Sequence, residues 1–447
     1  MGRFPAKYMP WEYYERMRST LLPLFTYSIA RILLAFSAYN PYTLTFILRL
    51  IIGVAYWFVT CRLCMFLLPK LKSEIAQKVF VLLSVLLWYV PYVAVRFTPE
   101  NVSALMFLWG FYLIMRNKEK PTGQWASYIV AGLLFGIAFF IRIQMAFAIA
   151  GFLAWLLFIN KTPIKYFIVL GFIAALAIGL NIIIDYWYYH AWVLSPANYF
   201  VANIIKHKSA EFGVDPWWFY FSEFIMKGLP PISVILLLFF FAGLFKNLRD
   251  PLTWAIMAFL LIHFAIGHKE LRFLFSVAFI FTYIVALGLD YLLTQKFYQK
   301  IHKYVYALML IIGMPMLIYR SIIPACITIN YMKYLYYNAT EKNTPALYNP
   351  ADYENAFYHL DVGFYTNGNL KPVMADSAVK IKTYLETNRP KTAFYIGRNS
   401  RSYFDTIKGY TIDMAYTVYP DWIMQHDFNN WEERSNIWRI FRFTRKD

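Results

Sequence analysis

Ten stretches of this chain are apolar and long enough to approach the roughly 30 Å of hydrocarbon in a bilayer. They lie near residues 42–68, 79–95, 99–115, 125–141, 143–159, 166–184, 231–245, 252–267, 272–293 and 303–324. A backbone inside hydrocarbon must satisfy its own polar groups, so repeated apolar stretches of this length fold as helices. The pattern predicts an all-α polytopic membrane protein with about ten transmembrane helices over residues 42–324. Composition agrees, since 60% of the 447 residues are hydrophobic and only 15% are charged. Soluble enzymes and disordered chains fall outside that range.

The formal net charge of +18 would point to nucleic acid in a soluble protein, but the surplus is unevenly placed. Residues 1–324 carry 28 basic and 12 acidic side chains, whereas residues 325–447 carry 15 and 13. Thirteen Lys and Arg fall in the connections 69–78, 116–124, 160–165, 246–250 and 294–303. Basic connections between spans mark the cytoplasmic side, so membrane lipid is an expected partner and nucleic acid is not. The opposite connections, at 96–98, 142, 185–230 and 268–272, then face a periplasm or a lumen. By parity, residues 1–41 begin and end on that outer face. Arg31 sits mid-way along the apolar segment 20–39, and a charge at the bilayer centre costs at least about 2.5–3.5 kcal/mol. An amphipathic or re-entrant segment is therefore expected for residues 1–41, with further chain expected upstream of Met1.

After residue 324 the composition shifts. Thr392–Ile396 has strand character and Ser377–Thr387 reads as a helix, so residues 325–447 are expected to form a small extramembrane α/β domain. The three cysteines, Cys61, Cys64 and Cys326, make no framework and read as packing residues. His and carboxylates are too scattered to form a dedicated metal cluster. No cofactor is expected, and dependence on a divalent metal stays open. A compact chain favours a bacterial inner membrane over an endoplasmic reticulum membrane. In the second case the sequons at Asn101 and Asn338 would matter.

Charges at the outer boundary are functional candidates, because an ionisable residue at depth is costly. Gly267-His-Lys-Glu-Leu-Arg-Phe273 places His268, Lys269, Glu270 and Arg272 between two strongly apolar stretches. On a helix, His268 and Arg272 share one face. A lysine point charge with a planar arginine fork suits a phosphate, and Glu270 can orient either cation. Snorkelling interfacial anchors are the other reading, though anchors need neither His nor an acid. The loop 185–230 opens with Asp185-Tyr-Trp-Tyr-Tyr-His-Ala-Trp192 and contains Phe212-Gly-Val-Asp-Pro-Trp-Trp-Phe-Tyr220. Its aromatics, Trp217 and Tyr220 among them, suit an interfacial belt or stacking on sugar rings. Asp185 closes a long apolar helix, as a base or as a plain helix end. Arg96 and Arg142 add cations in neighbouring outer turns, and converging turns would build a positive pocket for a lipid-linked phosphate.

The stretches Trp11-Glu-Tyr-Tyr-Glu-Arg-Met-Arg-Ser-Thr-Leu-Leu-Pro23, Asp185–Tyr188, Phe212–Tyr220 with Gly228-Leu-Pro230, and His268–Phe273 together resemble the glycosyltransferase-C superfamily. Within it they resemble the polyprenyl- or dolichyl-phosphate-mannose-dependent mannosyltransferases of glycosylphosphatidylinositol and N-glycan assembly. The enzymes that add the third mannose to the glycosylphosphatidylinositol core are the nearest group. The resemblance implies a glycosyltransferase-C-like fold and an inverting transfer of mannose. The donor would be a polyprenyl-phosphate sugar, the acceptor a glycan or glycolipid, and the product an α-mannoside. His268, Lys269 and Arg272 would contact the donor phosphate with help from Arg142, and Glu270 would orient them. Trp11, Trp217 and Tyr220 would bind sugar or acceptor. The family carries an Asp-Glu pair ahead of the Trp-Glu motif. Only ten residues precede Trp11 here and none is acidic, which leaves Glu12 and Asp185 as candidate bases. Two other readings stand beside this one: transfer of a different sugar from a polyprenyl phosphate, and a non-catalytic or transport membrane protein.

Overall fold

A computed structural model of the chain describes residues 11–118, 124–322, 328–349, 364–398, 404, 407–419, 421–426, 428–434 and 437–446. Cys326 lies outside the described residues. The chain divides into two compact units, a helical one over residues up to 39 and 44–321, and a second over 40–43 and 322–447.

Each apolar stretch of the helical unit falls on helix. Five described helices are long and apolar enough to cross a membrane: Pro41–Lys70, Gln124–Ile141, Ile164–Tyr189, Leu271–Leu292 and Lys296–Ile322. The pair Ile232–Lys246 and Pro251–Ala265, bent by 116° at their junction, makes a sixth if taken as one span. By this measure the count of ten is not reached: Pro99–Arg116 has 18 residues but polar ends that lower its hydropathy, and other helices are too short. Fifteen residues rise only about 22 Å, and Leu21–Ala35 and Met145–Phe158 are no longer than that. The 79–95 stretch is interrupted, with Glu74–Leu86 stopping at Leu87 (ψ 123°) before a short helix Val90–Ala94. On Ile164–Tyr189, the side chains of Ile168, Phe172, Leu176, Leu180 and Ile183 are all exposed. Their three- and four-residue spacing lines one face, which water would not tolerate and lipid would. The protein is an integral membrane protein.

Lipid tails are as apolar as leucine, so helices in a membrane associate through close packing rather than expulsion of water. Small residues therefore sit where helices cross. A Cβ on Gly288 would collide with the Phe239 carbonyl oxygen, and one on Gly243 with that of Ile284. These two glycines let Ile232–Lys246 and Ala278–Leu292 touch backbone to backbone. Helix starts follow local rules: Thr98 precedes Pro99 and caps Asn101 N (3.4 Å), and Asp250 precedes Pro251 and caps Leu252 N (2.8 Å).

In the second unit a five-stranded sheet has the order β2-β1-β3-β5-β4. Its strands are β1 Thr344–Tyr348, β2 Leu370–Met374, β3 Thr392–Gly397, β4 Tyr410–Thr417 and β5 Arg439–Arg445. β1 pairs in parallel with β2 and β3, while β5 is antiparallel to β3 and β4. Alternation along β3 sends Phe394 and Ile396 to Tyr331 and Leu335 of the Thr328–Asn338 helix, and Ala393 and Tyr395 to Ile381 and Leu385 of Ala378–Asn388. Helices cover both faces, which explains why this strand reads as a continuous apolar run.

Candidate active site

The connections 96–98, 142–144, 185–230 and 266–272 meet in the helical unit, held by polar contacts whose partners are distant in sequence. The Glu100 carboxylate accepts from Arg142 Nη2 at 3.0 Å, and both side chains are buried. Asp215 N donates to Gly267 O at 2.9 Å, and His268 Nδ1 lies 3.1 Å from Gly213 O. Gln144 Nε2 donates to the Tyr199 hydroxyl at 2.9 Å.

The segment 11–20 is tied into the same place. Its helix is a single turn, Trp11–Tyr14, because Arg16 takes a left-handed conformation (φ 51°) that ends it. Asp185 is wholly buried and accepts from Thr20 N (2.9 Å), Thr20 Oγ1 (2.7 Å) and the Ser195 hydroxyl. Tyr189 OH donates to Arg18 O at 2.9 Å. Asp185 thus joins three pieces of chain, and its carboxylate is enclosed by donors from them. Glu12 differs, with a side chain 29% exposed and bound to Arg18 Nη2 at 2.5 Å. Nearby, Lys208 hydrogen-bonds Glu15 and holds that carboxyl below its ordinary value.

Within His268–Phe273 the charges divide. Glu270 takes Arg272 in a two-point clasp, Nε to Oε2 at 2.6 Å and Nη2 to Oε1 at 2.7 Å, with His268 Nε2 at 3.4 Å from Oε1. The Arg272 side chain is 56% exposed, so part of its donor fork is open. Lys269 is only 4% exposed and gives its ammonium to the carbonyls of Asp215 (3.0 Å), Gly267 (3.4 Å) and Ile266. Three protons on three carbonyls leave none for a phosphate, and burial pulls its basicity below that of an ordinary lysine. The expected phosphate contact at Lys269 is occupied within the fold.

Rings connect these charges. Trp11 stacks on Phe212 (5.9 Å), which lies 6.3 Å from the His268 ring, and Phe273 lies 6.2 Å on its other side. Arg142 stands 5.1 Å over Phe273 and 6.0 Å from Tyr199, while Arg18 stands 5.4 Å over Tyr199. Trp11, Glu12, Arg142, His268, Glu270 and Arg272 are therefore brought together. Tyr220 is buried nearby, its hydroxyl pushed up by burial, and it lines a cavity of about 520 Å³. Aromatic residues such as Trp88, Tyr89 and Phe281 line the same cavity together with Leu271 and Phe275, next to the charged connection. Trp217 is 59% exposed and packs edge-on against Trp218 and Phe221. No group of three or more His, Cys, Asp or Glu among the described residues is placed to hold a metal.

Sequence reasoning missed three participants. Glu100, which the sequence did not single out, is the partner of Arg142. Tyr199 receives both arginines. His263 is buried within an apolar helix, 6.5 Å from Tyr220 and 6.4 Å from Phe273. Its Nδ1 meets the Phe259 carbonyl at 2.7 Å, and its Nε2 has no partner among the described residues. An ionisable residue inside an apolar run was signal enough to mark it.

Known proteins similar in sequence to this chain are mannosyltransferases. GPI alpha-1,2-mannosyltransferase 3 of Homo sapiens is 27% identical over 289 residues, 61% of this chain and 48% of that one. The probable Dol-P-Man:Man(7)GlcNAc(2)-PP-Dol alpha-1,6-mannosyltransferase of Schizosaccharomyces pombe is 22% identical over 306 residues, 64% of this chain and 53% of that one. The chain thus spans about half the length of the curated relatives it matches. The crystal structure of ArnT from Cupriavidus metallidurans in the apo state aligns at a TM-score of 0.44 and 10% identity, covering 88% of this chain and 83% of that one. Residues 3–350 match the Alg9-like mannosyltransferase family, and the chain belongs to that family.

Proposed function

We propose that this protein transfers mannose from a polyprenyl-phosphate-mannose donor to a lipid-linked or surface glycan, with inversion, giving an α-mannoside. The observation that carries the reading is the family match across residues 3–350, which contains every charged and aromatic group of the site described above. The geometry fits the chemistry. An acceptor hydroxyl attacks the anomeric carbon from the face opposite the phosphate, its proton passes to a carboxylate, and the phosphate departs with the electrons of the broken C–O bond. Arg272, held by Glu270 with part of its fork open, and His268 are the groups to meet the developing phosphate charge. Arg142 is bound to Glu100 and contributes field rather than a free donor. Glu12 is the more accessible of the two candidate bases, while Asp185 holds the scaffold. The aromatic cavity beside Leu271 and Phe275 offers an apolar berth for the polyprenyl chain. The site is proposed to face the periplasm or lumen, opposite the basic connections.

The test is a transfer assay in membranes containing the protein, with polyprenyl phosphates carrying labelled mannose, glucose, galactose or arabinose offered in parallel. Incorporation from the mannose donor, lost in Arg272→Ala, is expected. Incorporation from another sugar alone would replace the donor assignment, and incorporation unchanged in Arg272→Ala would remove the phosphate site.

A further inference from the structure

We propose that a second, basic cavity at the other end of the same helices binds a phosphate-bearing anion. Helix Pro99–Arg116 begins beside the Glu100–Arg142 pair and ends at Arg116, about 27 Å away for 18 residues. Helix Pro251–Ala265 likewise runs from Asp250 toward His268. At that far end Lys70, Arg116, Lys118 and Arg249 surround a cavity of about 450 Å³ whose wall includes Trp155 and Asp250.

The charge balance of this cavity is unequal. Four cations face one carboxylate, and that carboxylate is already engaged: Asp250 accepts from Leu252 N at 2.8 Å and from the Tyr283 hydroxyl at 3.0 Å, with Lys70 Nζ at 3.9 Å. Among the described residues, no ion pair is formed by Arg116, Lys118 or Arg249. Three of the cations lie over rings instead, Lys70 5.4 Å from Phe66, Lys118 5.6 Å from Trp155 and Arg116 5.7 Å from Tyr112. Basic loops that merely set topology need only be on one side of the membrane. These four converge on a concavity, where like charges repel one another unless an anion sits between them. Two arginine forks and two lysine point charges match the oxygens of a phosphate group. Phe66 and Met115 in the same wall add apolar surface, which suits a phospholipid headgroup with the start of its acyl chains.

The shared chemistry is a phosphate group, and its two sources, membrane lipid and soluble phosphate, are separable. Full-length protein in detergent is titrated with phosphatidylglycerol and followed by native mass spectrometry, and with radiolabelled inorganic phosphate in equilibrium dialysis. Arg116→Ala/Arg249→Ala is compared with wild type and with Lys161→Gln/Lys165→Gln, which removes the same charge from another connection. Arg116 and Arg249 are exposed, so truncating them spares the packing, and Lys118→Gln serves as a milder second variant. The expected result is retention of phosphatidylglycerol by wild type and by the Lys161/Lys165 pair, with affinity at least about tenfold weaker in the arginine double, as loss of charge-assisted hydrogen bonds implies. Selective loss of inorganic phosphate with no lipid retention in wild type would support the site and assign the soluble source. Equal binding by wild type and the arginine double, or equal weakening in both doubles, would overturn it.

Discussion

Lys269 and Arg272 stand three positions apart in one connection, and the fold gives them different surroundings. Lys269 is spent on backbone carbonyls that bind the 266–270 turn to Asp215, whereas Arg272 keeps part of its fork open. Under the proposed reading, Arg272→Ala keeps its thermal stability and loses transfer by about 10²–10³-fold, the range for a preorganised charge stabiliser; kinetics with a melting curve on the same sample checks both. Lys269→Ala leaves buried carbonyls without a donor and is expected to lower stability by about 1–3 kcal/mol, read as a shifted melting midpoint. The buried pair gives a sharper contrast. Arg142→Leu strands the Glu100 carboxylate and should cost about 3–5 kcal/mol, while Arg142→Leu with Glu100→Gln should recover much of that loss. A double-mutant cycle measures the recovery, and simple additivity would contradict the pairing. In the sequence these three cations, Arg142, Lys269 and Arg272, carried one expected role, contact with the donor phosphate. What separates them is contact with Asp215, Glu100 and Glu270, and for Asp215 and Glu100 that contact exists only once distant connections meet.

At the scale of elements, the apolar pattern places the helices because burial in lipid is periodic and local. It leaves their ends to tertiary packing. The 11–20 segment, within the stretch expected as amphipathic or re-entrant, forms one helical turn and is then held by Asp185, Tyr189 and Asn198. The short helices Ser195–Phe200 and Phe219–Lys227 lie inside the aromatic loop and were read there as loop, the first being too brief to register a period. Strand β3 and the Ser377-capped helix were legible because a sheet covered on both faces leaves a continuous apolar run and a cap leaves a serine. The Gly243–Gly288 crossing was not, since a glycine in an apolar helix reads the same whether or not it faces a partner. Gly288→Ala should force Ile232–Lys246 and Ala278–Leu292 apart, lowering the folded yield in membranes well below that of Gly179→Ala, whose added Cβ meets open space. Size-exclusion profiles of the two variants test this, and equal yields would mean the helices are not packed so closely.

For the whole molecule, topology and activity belong to one account. A cysteine placed at position 268 should react with an impermeant reagent from outside, and one at position 161 only after permeabilisation; the reverse pattern would overturn the orientation while leaving the fold intact. The central claim is mannosyl transfer with inversion by this chain. The most direct measurement gives purified protein in phospholipid vesicles a β-linked polyprenyl-phosphate-mannose and a mannose-terminated glycolipid acceptor, and reads the anomeric configuration of the new linkage. An α-mannoside, formed by wild type and absent with Arg272→Ala, is the predicted result. A β-mannoside, or no transfer by a protein whose melting curve shows it folded, would contradict the account.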